Sequence, residues 1–166
     1  LRITHQTGAA DREPVERGYR ACGFEPDVRE FITDMSGAYA EADLVVCRAG
    51  AMALAELTVC RKPSILVPFP RAADNHQVQN ARSLVDAGAA VMIEERELTG
   101  ERLAREIRAI LSDPSRRERM ARAAGRLGSP QAAREIADVC TELVRGRWGS
   151  PMGQRRERPP APARPP

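Results

Sequence analysis

Short β-branched runs alternate with stretches of helical composition over residues 1–93, and this alternation limits the fold more than any other feature. Residues 1–5 read as a strand, followed by the turn Gln6-Thr7-Gly8, a helix over 13–22 and a second strand over 27–32. A short helical piece holding Tyr39 and Ala40 ends near Asp43. Leu44-Val45-Val46-Cys47 is a continuous apolar run, the pattern of a strand buried on both faces. Residues 51–59 are rich in Ala, Leu, Met and Glu and predict a helix. Another buried strand is expected over 64–69 after Pro63, then a helix over 75–87 and a short strand over 90–93. Beyond that the strands stop. Residues 99–111, 114–127 and 131–144 read as three consecutive helices, with Ser112 and Asp113 ahead of Pro114 marking a stop and restart. Strand–helix–strand units with short connections predict a parallel sheet covered by helices on both faces. The expected fold is therefore a Rossmann-like α/β domain closed by C-terminal helices.

A chain of 166 residues is long enough to bury a real core. We expect one domain over 1–148, because the sequence beyond Trp148 is unlike the rest. It runs Gly-Ser-Pro, then Arg-rich, then Pro-rich, and holds six of the thirteen prolines. Such a stretch cannot bury enough apolar surface to order itself, so 149–166 is expected to be a disordered tail. The tail also explains the charge. From Gly146 onward there are five Arg and one Glu, whereas residues 1–145 carry 21 basic and 22 acidic groups. The net +3 belongs to the tail, and the body has no nucleic-acid signature. No apolar run approaches the roughly 20 residues that span a bilayer. The chain opens on Leu1, without a basic-then-apolar leader or an initiator Met, as a piece of something longer would. Cys22, Cys47, Cys60 and Cys140 form no C-x-x-C pair, and His5 and His76 lie far apart. A zinc site has little to build on, and a reducing cytoplasm is the expected compartment.

Ligands of open parallel sheets sit at the carboxyl ends of the strands, which makes the strand-to-helix turns the places that can carry chemistry. Cys47-Arg48-Ala49-Gly50-Ala51-Met52-Ala53 joins a buried strand to a helix. Gly50 permits a tight turn and a close backbone approach, and small residues leave the N–H groups of the helix start uncovered. Those groups and the helix dipole form an anion site suited to a diphosphate. Glu56 lies about 7.5 Å further along the axis, where a carboxylate can accept hydrogen bonds from ribose hydroxyls. A plain strand–helix turn with a surface Glu fits the same spacing, since this glycine pattern is weaker than G-x-G-x-x-G. On the same rim, Asp74-Asn75-His76-Gln77 leads into Asn80-Ala81. These groups can bind sugar hydroxyls, or Asp74 and Gln77 can simply form a capping box. Phe31 and Ile32 can flank a flat base or serve the core. His5, in the fourth rim turn, fits a structural role as well as an acid–base one.

Several chemistries lack their parts. No carboxylate pair suits glycoside hydrolysis, no Ser or Cys sits in a nucleophile elbow, and there is no Walker loop. This is the pattern of a nucleotide-holding half whose reacting groups lie elsewhere.

Taken in order, these turns resemble the C-terminal domain of the MurG family. The resemblance is carried by His5-Gln6-Thr7-Gly8, Phe31-Ile32-Thr33-Asp34-Met35, Ala42-Asp43-Leu44-Val45-Val46-Cys47-Arg48-Ala49-Gly50-Ala51, Glu56, Asp74-Asn75-His76-Gln77 and Asn80-Ala81, and it runs to about Val144. It implies the C-terminal half of a GT-B fold, two Rossmann-like domains around a cleft. It also implies an inverting transfer of N-acetylglucosamine from UDP-N-acetylglucosamine to lipid I, forming lipid II for peptidoglycan. By position, Ile32 would meet the uracil through its backbone, and Ala51, Met52 and Ala53 would present the helix start to the diphosphate. Glu56 would hold the ribose, and Gln77, with His76 beside it, would contact the donor sugar. No metal or cofactor is implied, since backbone donors and the helix dipole can offset the diphosphate charge.

The resemblance places the acceptor side, the base and peripheral contact with the cytoplasmic face of the membrane in an N-terminal domain ahead of Leu1. A first Gly-Gly-Ser loop is expected there too, so the chain is expected not to catalyse transfer alone. Two other readings remain compatible with the residues. One is a different UDP-sugar GT-B transferase acting on lipid or natural-product acceptors. The other is a non-catalytic module whose Arg-rich tail binds anionic surfaces.

Overall fold

The fold was analysed as a computed structural model, which describes residues 1–72 and 75–145. Asp74 and the tail expected over 149–166 lie outside the described residues. The chain divides into two compact units, Leu1–Ser129 and a second that begins at Pro130.

The first unit follows the expected alternation: β1 (Thr4–Gln6), α1 (Arg12–Ala21), β2 (Asp27–Arg29), α2 (Met35–Glu41), β3 (Val45–Cys47), α3 (Ala51–Val59), β4 (Ser64–Leu66), α4 (His76–Asp86), β5 (Ala90–Met92), α5 (Gly100–Leu111) and α6 (Pro114–Leu127). A 3-10 turn at Glu95–Glu97, not foreseen from the sequence, precedes α5. Among the described residues every strand pair is parallel. The strands form two sheets, β1-β2 and β3-β4-β5, with Val45 opposite Ser64 and Ser64 opposite Ala90.

β4 is the central strand of its sheet and buries all three residues. Its alternation divides the core. Leu66 joins Tyr39, Leu54, Leu57, Ala81 and Leu84 on one face, while Ile65 joins Ile93, Ile110 and Met120 on the other. β3 departs from the expected burial on both faces. Val45 and Cys47 pack against the first cluster, but Val46 is 42% exposed. The reason is position: β3 is an outer strand of its sheet, paired only with β4 among the described residues.

Local signals set the helix starts. The Asp34 side chain accepts from Gly37 N–H at 2.8 Å and caps α2. Thr99 accepts from Arg102 N–H at 3.1 Å, and Asp113 from Arg116 N–H at 2.9 Å with Pro114 in the first turn. Gly128, just past α6, lies where a Cβ would meet the Thr58 carbonyl oxygen at 2.8 Å, so the end of α6 rests directly on the backbone of α3.

The second unit contributes α7 (Ala132–Val144), none of whose residues is buried. Among the described residues no helix is long and apolar enough to cross a membrane.

Candidate nucleotide site at the strand ends

The start of α3 is bare. Gly50 occupies the cap position, its carbonyl accepting from Leu54 N–H at 3.0 Å, and among the described residues no side chain caps the helix. The first-turn N–H groups of Ala51, Met52 and Ala53 therefore carry the positive end of the helix dipole, about half an elementary charge, without a side-chain acceptor. Met52 stands 80% exposed above them. The structure corrects one part of the sequence reading. The φ of Gly50 is −71°, which any residue adopts, and an added Cβ would meet nothing within 4 Å. The turn does not require glycine for its geometry. What the missing side chain leaves is open space beside the helix start.

Glu56 projects from α3 toward α2. The Tyr39 hydroxyl donates to Glu56 Oε2 at 2.9 Å, and the Tyr39 ring is buried in the core between the two helices. Burial first, and then Glu56 as acceptor and charge, raise the Tyr39 phenol well above its ordinary range. Burial and, second, the Glu56 charge push the Cys47 thiol up to about 11. The carboxylate thus sits where the apolar core meets the surface. Among the described residues it forms no salt bridge. Sequence reasoning placed Tyr39 on a short helix and gave it no role. Its partner lies 17 residues away, and no local pattern announces the contact.

Ile32 follows β2, and its side chain is buried. Its N–H donates to Gln6 Oε1 at 2.8 Å, a cross-link between two rim turns that the sequence did not reveal. Of the expected base-flanking pair, Phe31 is the exposed member at 69%. Gln77, in the first turn of α4, accepts from Phe69 N–H at 3.0 Å through its side-chain carbonyl, which fixes the loop after β4 and leaves the amide NH₂ as a donor. Asn80 donates to the Ala49 carbonyl at 3.2 Å and ties α4 to the turn ahead of α3.

Two contact chains therefore meet at α3. One runs through α2, from Asp34 to Tyr39 to Glu56; the other runs from Ala49 through Asn80 into α4, which carries Gln77. Ala51–Ala53 and Gln77 follow the carboxyl ends of β3 and β4, neighbours in one sheet, and Ile32 follows that of β2 in the other; ligands of such sheets bind at carboxyl ends. Arg48, part of the turn read from the sequence but given no role of its own there, braces the strand ends. It pairs with Glu95, lies 5.6 Å from the Phe69 ring centroid and reaches the Val67 carbonyl at 3.3 Å. His5 bonds the Tyr19 hydroxyl at 3.1 Å, the structural alternative of its two readings.

Residues 1–138 match the model of the glycosyltransferase family 28 C-terminal domain. The chain belongs to that family. Over all 166 residues it is 82% identical to the UDP-N-acetylglucosamine–N-acetylmuramyl-(pentapeptide) pyrophosphoryl-undecaprenol N-acetylglucosamine transferase of Anaeromyxobacter sp. strain K, and covers 43% of that protein. It is 59% identical to the enzyme of the same name from Myxococcus xanthus strain DK1622, over 94% of this chain and 40% of that one. The chain thus spans less than half the length of these relatives. Among solved structures, Acinetobacter baumannii MurG matches with a TM-score of 0.78 and 33% identity, over 86% of this chain and 43% of that one. The glycosyltransferase of kitacinnamycin matches at a TM-score of 0.55 and 21% identity, which speaks for the fold alone. The family 28 domain described here accordingly has the fold of the C-terminal half of a GT-B glycosyltransferase.

Proposed function

We propose that this domain holds the UDP-N-acetylglucosamine of an inverting transferase that delivers N-acetylglucosamine to lipid I and forms lipid II. The observation that carries the reading is the uncapped start of α3 with Glu56 further along the same helix. A diphosphate meets the N–H groups of Ala51, Met52 and Ala53, while the Glu56 carboxylate accepts from the ribose hydroxyls. Ile32 borders the uracil. With its N–H engaged by Gln6, its carbonyl is the backbone group left to accept from the base edge. The Gln77 amide NH₂ donates to the sugar. In this reading the departing UDP gains negative charge at its diphosphate as the glycosidic bond breaks, and the dipole of α3 stabilises that charge without a metal.

The base and the lipid I site belong, in this proposal, to the part of the longer relatives that this chain does not match. The whole enzyme then works from the cytoplasmic face of the membrane as a peripheral protein. The domain assignment over 1–148, with 149–166 as a tail, is part of the same proposal. Saturation-transfer NMR with UDP-N-acetylglucosamine tests it. Uracil, ribose and N-acetyl protons should all receive magnetisation from the folded chain, and none of them doing so would overturn the reading.

A further inference from the structure

We propose that Tyr39 is a positioning residue for the nucleotide site, holding the Glu56 carboxylate so that its remaining oxygen is presented to the ribose. The inference rests on the reading of Glu56 as the ribose acceptor and adds to it the residue that aims it.

Three features of the structure support it. The donor is rigid: the Tyr39 ring is only 7% exposed, and it packs in the cluster that contains Leu54 and Leu57 of α3 itself. The α2 helix that carries Tyr39 is fixed in turn by Asp34, whose carboxylate lies where any Cβ on Gly37 would have to be. Second, the bond is asymmetric. The hydroxyl reaches Oε2 at 2.9 Å, while an ionised carboxylate offers about four lone-pair positions on two oxygens. One neutral donor orients the group without neutralising it, and leaves Oε1 able to accept. Third, among the described residues no other side chain is bonded to Glu56. Glu56 is exposed and forms no salt bridge among the described residues; Met52, Ala53 and Val59 on α3 and Cys60 at its C-cap, the positions three and four away, include no cation. An exposed glutamate without an anchor samples several rotamers and must be ordered by each ligand that uses it. Tyr39 removes that requirement in advance.

The test is a pair of titrations of the full chain, with UDP and with its 2′,3′-dideoxyribose analogue, read by NMR. Tyr39→Phe removes one oxygen and keeps the ring. It should weaken UDP binding about three- to tenfold and leave the dideoxy analogue unchanged, because only the hydroxylated ribose uses Glu56. In a Glu56→Ala background the same substitution should have no further effect. If Glu56→Ala weakens UDP but Tyr39→Phe does not, the positioning role is wrong and the ribose reading stands. Equal weakening for both ligands would assign Tyr39 to core packing alone. If Glu56→Ala itself leaves UDP binding unchanged, it is the ribose reading that fails. Should Tyr39→Phe not fold, 3-fluorotyrosine provides a second route, since the chain has only two tyrosines. The fluorine resonance of residue 39 should shift with UDP and shift far less with the dideoxy analogue. Indifference to UDP would overturn the proposal.

Discussion

Glu56 combines two demands that usually conflict. A carboxylate that receives ribose hydroxyls needs to stay charged, which favours water, and to stay ordered, which favours burial. The single bond from a buried phenol meets both, since the carboxylate itself remains at the surface. In a complete enzyme containing this domain, Glu56→Ala should therefore weaken use of the UDP-sugar by about 1.5–3 kcal/mol, the range for hydrogen bonds to a charged group. Donor kinetics of the variant measure this directly, and unchanged values would remove Glu56 from the site. Cys47 gives a residue-scale prediction of a different kind. Its thiol titrates near 9.0 in an open chain and is pushed up to about 11 in the fold, so folding favours its protonated form. That contribution is complete below pH 9 and is lost as pH rises toward about 11. Thermal melts across this window should fall more steeply for the native chain than for Cys47→Ala, whatever the baseline cost of the substitution. Parallel slopes would show that the thiol does not titrate as described.

At the scale of elements, two glycines with ordinary backbone angles serve opposite purposes. A Cβ at Gly50 meets nothing, while a Cβ at Gly128 meets the carbonyl oxygen, carbonyl carbon and amide nitrogen of the α3 backbone at 2.8–3.0 Å. Gly128→Ala should thus cost about 1–3 kcal/mol, as overpacking against a backbone that cannot step aside. Gly50→Ala should change stability by no more than about 1 kcal/mol, since the cap position's preference for Gly over Ala opposes the gain through the unfolded chain, yet weaken UDP binding by blocking the space beside the helix start. Denaturant melts and a UDP titration on both variants separate the cases; a Gly50→Ala chain that binds UDP normally would mean the ligand never approaches that turn. The same elements show what the sequence could reveal. The span of α3 was legible to the residue because its composition and the small-residue turn before it act locally. Strand existence was legible but strand length was not: expectations of 27–32 and 64–69 shrank to Asp27–Arg29 and Ser64–Leu66, since pairing partners end a strand and the chain's own apolar run does not. Val46 misled for that reason. The contacts that build the site, Tyr39 to Glu56, Gln6 to Ile32 and Arg48 to Glu95, join residues 17 to 47 positions apart, and periodicity carries no trace of them.

For the molecule as a whole, the question is how much of a donor site this length of chain retains. The base, ribose and helix-start groups proposed for the nucleotide all lie within the first compact unit, Leu1–Ser129. The Gly-Gly-Ser loop that the family resemblance adds to the phosphate grip is not among these residues. Losing one or two charge-assisted hydrogen bonds, at about 1.5–3 kcal/mol each, implies at least a tenfold loss of affinity. Dissociation constants for UDP near the millimolar range are therefore expected. UDP should bind more tightly than uridine, because only the diphosphate reaches the dipole of α3. On titration the amide resonances of Gly50, Ala51, Met52 and Ala53 should move with UDP and stay nearly still with uridine, while amides near Ile32 respond to both. Glycosyl transfer to a lipid acceptor should be undetectable in the same preparation, since the family resemblance assigns the base to the part of the longer relatives that this chain does not match. Still amides at millimolar UDP in a folded chain would refute the phosphate assignment. Measurable transfer would instead show that the reacting groups are contained in this domain, and that the division of labour with the rest of the longer relatives is wrong.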